Sequence, residues 1–152
     1  MSILNQKTLK DQLKFKGIGL HSGKEVEMNL LPAHPGTGII FKRTDLKSNN
    51  IIYPSVFNVS SASYCTKLTN ESGNSVSTVE HLMAALCGLG IDNLIVELNA
   101  EEVPIMDGSA KDFLNGISKA GIKKTKNKRK YLKVQKKLEL IDKEIKISIE
   151  PS

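Results

Sequence analysis

Glu80 and His81 are neighbours in the run Ser77-Thr78-Val79-Glu80-His81-Leu82. A carboxylate and an imidazole are residue types for proton transfer, and imidazole is also a metal donor. Ordinary helix chemistry accounts for the pair as well. Ser77-Thr78-Val79-Glu80 fits a capping box, in which Glu80 reaches back to Ser77, and His81 is then a surface histidine. What sets the pair apart is the helix it heads. Over 77–86, Val79, Leu82, Met83 and Leu86 fall at i, i+3, i+4 and i+7 and make one apolar stripe. On the opposite face a helical wheel places Glu80, His81, Ala84 and Gly88, with Cys87 at its edge. A solvated face carries Lys, Glu or Arg. This one is small and suits contact with another surface, with Glu80 and His81 at the mouth of a cleft. A helix N-terminus also favours the negative charge of Glu80.

Gly17-Ile18-Gly19-Leu20-His21-Ser22-Gly23 is a Gly-rich turn. It lacks the Lys-Ser/Thr of a P-loop and no helix pattern follows it, so a tight turn between strands explains it better than a phosphate cradle. Nothing local explains the imidazole of His21. Asp107-Gly108-Ser109 reads as a turn with an N-cap. Cys65 falls on an expected strand as a buried, inert thiol, and His34, between Ala33 and Pro35, as a solvated loop residue.

The elements that must position these residues follow from periodicity. Residues 7–32 read as two strands joined by the Gly-rich turn, with Val26, Met28 and Leu30 alternating with Glu25, Glu27 and Asn29. Short strands are expected at 38–43, 51–53, 63–69 and 93–99, with a hairpin turn at 70–74. The first helix spans 77–86 and the second 109–120, where Ala110, Phe113, Leu114 and Ile117 form the stripe and Gly121 the C-cap. Residues 123–130 are a basic run read as a linker. Beyond it, Leu132, Val134, Leu138, Leu140, Ile145, Ile147 and Ile149 alternate around an Asp142-Lys143 turn. Such a hairpin is marginal alone in water. The expected division is therefore a domain at 1–122, a linker at 123–130, and the first hairpin of a truncated second domain at 131–152.

Composition bounds the class. The chain has 152 residues, 39% apolar and 25% charged, which suits a folded domain. Its net charge of +6 is uneven: residues 1–122 hold 11 Lys/Arg against 12 Asp/Glu, and residues 123–152 hold 11 against 4. The basic character belongs to the tail. No stretch reads as a bilayer span or a secretory leader. Two cysteines are too few for a disulfide scaffold or a four-ligand zinc site, and a cytoplasmic location is expected.

Three segments taken together resemble one family. Gly17-Ile18-Gly19-Leu20-His21-Ser22-Gly23, Ser77-Thr78-Val79-Glu80-His81-Leu82 and Ile105-Met106-Asp107-Gly108-Ser109-Ala110 are similar, in order and approximate spacing, to the signatures of the UDP-3-O-acyl-N-acetylglucosamine deacetylases. Gly90-Ile91-Asp92-Asn93 resembles the connection after that family's first helix. The resemblance implies an α+β fold of two similar domains, each a two-layer sandwich with a pair of helices on one face of a sheet. The active site lies between the helix layers. It also implies a zinc hydrolase that removes acetate from a nucleotide-sugar lipid precursor in the committed step of lipid A biosynthesis. By match to the Val-Glu-His motif, Glu80 would be the general base and His81 a zinc ligand, with His21 and Cys65 lining the site.

Family members are about twice as long. Their second half carries a His-Lys-x-x-Asp-x-x-Gly-Asp segment that completes the zinc site and a further catalytic His. Here the histidines are His21, His34 and His81, so the expectation is an N-terminal half, inactive alone, with the other zinc ligands in the absent half. Complete, it would be a monomer with no nucleic-acid partner, and peripheral membrane contact stays open. Two readings compete. A basic-tailed nucleic-acid module is disfavoured because aromatics are only 5%, leaving few stacking platforms. A non-catalytic half that pairs with a separate chain is the other.

Overall fold

The computed structural model describes residues 4–151. In chain order the first strands are β1 (Asn5–Leu9), β2 (Leu13–Ile18), β3 (Glu25–Pro32), β4 (Ile39–Arg43) and β5 (Ile51–Ile52). A short excursion follows: β6 (Val59–Ser61), β7 (Lys67–Thr69) and β8 (Ser75–Val76). Then come α1 (Glu80–Leu89), β9 (Leu94–Leu98), α2 (Lys111–Ala120) and β10 (Ile122–Lys128). A hairpin of β11 (Leu138–Asp142) and β12 (Ile145–Ile149) ends the described chain.

The main sheet has the order β2-β3-β9-β4-β5 and is antiparallel except where β4 runs parallel to β9. Register puts Phe15 beside Met28, Met28 beside Leu98, Leu30 and Phe41 beside Val96, and Ile52 beside Phe41. With period-2 alternation these columns share one face. That face and Leu82, Ala85 and Leu86 of α1 with Phe113 and Ile117 of α2 form one buried cluster. The other face carries Lys14, Lys16, Glu25 and Glu27 in solvent and a Lys42–Glu97 pair at 2.9 Å. The result is α+β, helices on one face of a mixed sheet. The alternation of β3 and the apolar stripes of both helices predict which sides are buried, and the family resemblance implies the layering.

α2 lies close on β2. Phe15 and Phe113 meet edge to face with centroids 5.1 Å apart. A Cβ on Gly116 would sit 2.7 Å from the Phe15 ring, so the absence of a side chain there sets the spacing between layers.

Several expectations need correction. Residues 7–32 hold three strands, not two, because β1 leaves the main sheet. It pairs antiparallel with β10, so residues 123–130, read as a linker, instead carry most of a strand. A ladder needs backbone partners rather than apolar side chains, and lysines are frequent on edge strands. The expected strand at 63–69 shortens to β7. Tyr64 has a left-handed φ of 62° and Cys65 sits in the bend before the strand, half-buried rather than buried. In the terminal hairpin Asp142 pairs with Ile145, so the turn is Lys143-Glu144. Leu132 and Val134 lie outside it. Leu138, Leu140, Ile145, Ile147 and Ile149 share one face of that hairpin and are 51–69% exposed. Among the described residues no helix is long and apolar enough to cross a membrane.

Candidate active site

The site is built around the start of α1. Before the helix, Ser77 forms a parallel bridge to Glu102 and both its N–H and hydroxyl donate to the Glu101 carbonyl. Thr78 follows in the left-handed region, φ 57°, a conformation that costs a β-branched residue about 1–3 kcal/mol. Its hydroxyl donates to Glu102 Oε1 at 2.8 Å. The helix therefore begins at Glu80, later than the expected Ser77, with Val79 as an N-cap that makes no side-chain cap bond.

This overturns the capping box. Glu80 does not reach back to Ser77. Its Oε2 accepts the Thr66 N–H at 3.0 Å, which draws the segment around Cys65 onto the first turn of α1. Its Oε1 has no hydrogen-bond partner among the described residues. Next to it His81 is half-buried, and its imidazole has neither hydrogen-bond nor ion-pair partner among the described residues. Farther along the helix Ala84, Cys87 and Gly88 are exposed, so the small face derived from the wheel is bare.

Glu102 organises the neighbourhood. It is 1% exposed. Besides Thr78 it accepts the His21 N–H at 3.0 Å and the Ser22 N–H at 2.8 Å. Burial pushes its carboxyl up, but the bonds from His21, Ser22 and Thr78 outweigh that and hold it below the usual value of 4.5. The carboxylate thus staples the Gly-rich turn to the residue two before Glu80. Gly19 is required in that turn, since a Cβ there would lie 2.5 Å from Glu102 Oε2. Beside the staple is a hollow of about 220 Å³ whose wall includes His21, Lys67, Ser77 and Glu101. Lys24, 2.9 Å from Glu101, holds that carboxyl below its ordinary value.

Of the four residues singled out, Glu80 and the Cys65 segment are joined directly, and His81 is adjacent in chain. His21 is tied in through Glu102 and Thr78 and is among the residues lining the hollow, whose wall does not include Glu80, His81 or Cys65. Asp107 serves its turn: it accepts both the N–H and hydroxyl of Ser109, whose Oγ accepts the Lys111 N–H at the start of α2. Sequence reasoning missed Glu102 and Thr78. Nothing in Glu101-Glu102-Val103-Pro104 distinguishes the buried acid from its exposed neighbour. Among the described residues no three His, Cys, Asp or Glu side chains are grouped so as to hold a metal. Zinc therefore does not fit this chain's residues alone.

The family model for UDP-3-O-acyl N-acetylglycosamine deacetylase (LpxC) matches residues 6–152. A UDP-3-O-acyl-N-acetylglucosamine deacetylase of Histophilus somni (strain 129Pt) is 46% identical over 141 residues, 92% of this chain and 46% of that protein. One of Geotalea uraniireducens (strain Rf4) is 48% identical over 147 residues, 97% and 48% of the respective chains. One of Haemophilus influenzae (strain PittEE) is 45% identical over 141 residues, 92% and 46%. The chain spans about half the length of the curated relatives it matches.

Proposed function

We propose, from the premise that this chain belongs to the UDP-3-O-acyl N-acetylglycosamine deacetylase family, that it carries the general-base half of a deacetylase active site. The substrate would be a nucleotide-sugar lipid precursor bearing an N-acetyl group, and the products acetate and the free glucosamine amine. The chemistry is hydrolysis of an amide. Glu80 accepts a proton from the water that attacks the acetamide carbonyl. The tetrahedral intermediate then loses its C–N bond, and the departing amine takes up a proton.

The observation that carries this reading is the state of Glu80. Its carboxylate is not spent on capping and keeps one oxygen unengaged at the head of a bare helix face. His81, unpartnered beside it, would give one donor to zinc. The other donors would come from outside this chain. His21 and Cys65 would line the substrate side. Residues 131–152 would open a second domain like the first, and the complete protein would work as a cytoplasmic monomer.

Glu80→Gln tests the base in a chain extended to the length of its relatives. Gln preserves shape and still accepts the Thr66 N–H, but it takes no proton. Deacetylase turnover should fall at least ~10²-fold, the lower end for a general base, with the melting temperature unchanged. Near-normal turnover would remove Glu80 from the role.

A further inference from the structure

We propose that the cleft between β10 and the loop after β3 is a docking site for the phosphate headgroups of an anionic lipid surface. The cleft is about 560 Å³, and its lining includes Lys10, Lys123, Lys124 and Lys126 together with His34 and Pro35. All four lysines are exposed, and none has a carboxylate within ion-pair distance among the described residues. Two other cations of the same segment are engaged: Lys128 Nζ donates to Asn5 and Arg129 pairs with Asp92.

β1 and β10 contain no acid, so their charge is all of one sign. Lys7, across from Lys124, is held by the Leu89 carbonyl at 3.0 Å and is not part of the cleft. Guarding an exposed edge accounts for lysines along a strand. It does not account for Lys10, which lines the same cleft from outside that strand. Several point-charge ammoniums over an apolar proline wall suit a surface of many phosphates. A single tightly held phosphate is better served by the forked guanidinium of Arg, and no Arg lines the cleft. No Phe, Tyr or Trp lines it either, so a nucleic-acid strand would find no stacking platform.

The proposal is independent of the deacetylase reading. The test is flotation of the 152-residue chain with vesicles of phosphatidylcholine, with and without phosphatidylglycerol. Binding should require phosphatidylglycerol and be lost in about 1 M salt, where the Debye length is ~3 Å. Each lysine near such a surface is worth about fivefold, so Lys123→Gln/Lys124→Gln/Lys126→Gln should lose ~10²-fold. Lys14→Gln/Lys47→Gln/Lys111→Gln removes equal charge from exposed positions outside the cleft and should lose less than about threefold. Should the first triple variant fail to melt cooperatively, Lys126→Gln alone must show the ~fivefold loss. Absent lipid preference, or equal loss in both triples, overturns the proposal. So does tighter binding of an RNA oligonucleotide than of vesicles, or saturation of the cleft by inorganic phosphate without vesicle binding.

Discussion

Glu102 shows how a single buried carboxylate can fix a site it does not catalyse in. It joins three donors, from His21, Ser22 and Thr78, that lie on two chain segments far apart in sequence. In Glu102→Gln one acceptor oxygen becomes an amide that faces N–H groups. The cost should be about 1–3 kcal/mol in urea unfolding, the price of buried donors left unpaired. The pH dependence has a defined sign. Because the folded carboxyl titrates below its ordinary value of 4.5, its contribution is fully present above that pH and is lost as pH falls through the folded value. The stability difference between the parent and Glu102→Gln should therefore shrink on acidification below pH 4.5. A difference that grows there would mean the carboxylate is not held by these donors. At this scale Glu80 and His81 stood out in sequence, since they head a face without Lys or Arg. The buried partner of the turn did not, because burial is set by what packs over a residue.

At the scale of elements, the helices are where pattern and packing agree, and their ends are where they part. The stripe of α1 predicts its buried side correctly, while the capping box misplaces its start. Ser77 and Thr78 have helix-compatible residue types, but their polar groups are committed to Glu101 and Glu102, and a left-handed Thr78 cannot sit inside a helix. The basic run carries most of β10 for a similar reason: β1 offers it a ladder. α2 provides a direct test of layer spacing. In an exposed helix interior Gly→Ala would stabilise by about 1 kcal/mol. At Gly116 the new methyl meets the Phe15 ring at 2.7 Å, so Gly116→Ala should destabilise by ~1–3 kcal/mol through overpacking, read as a lower melting temperature. A raised melting temperature would show that Phe15 yields freely.

At the scale of the whole molecule, the bare surfaces among the described residues include the small face of α1 and the apolar side of the β11–β12 hairpin. The proposed zinc is tested at this scale, because catalytic zinc takes about three protein ligands and no such group forms among the described residues. The purified 152-residue chain should therefore hold far less than one equivalent of zinc after passage over a chelating resin, by elemental analysis. Stoichiometric retention would mean that residues of this chain close a metal site themselves. In the extended protein, chelation should abolish turnover and added zinc restore it. Turnover unaffected by chelation would remove His81 from its assigned role.

By itself the sequence determined the buried sides of β3, α1 and α2 and the pairing of Glu80 with His81 at the head of a small helix face, and its family resemblance implied the layered α+β class. The buried sides rest on local periodicity, which a 3.6- or 2-residue repeat writes directly into the chain. Only the tertiary structure decided that Glu80 turns to Thr66 instead of Ser77, that Glu102 binds the His21 turn, and that the lysines of β10 line a cleft. Each depends on which distant backbone groups arrive alongside, and a hydrogen-bonding side chain takes the partner that packing presents.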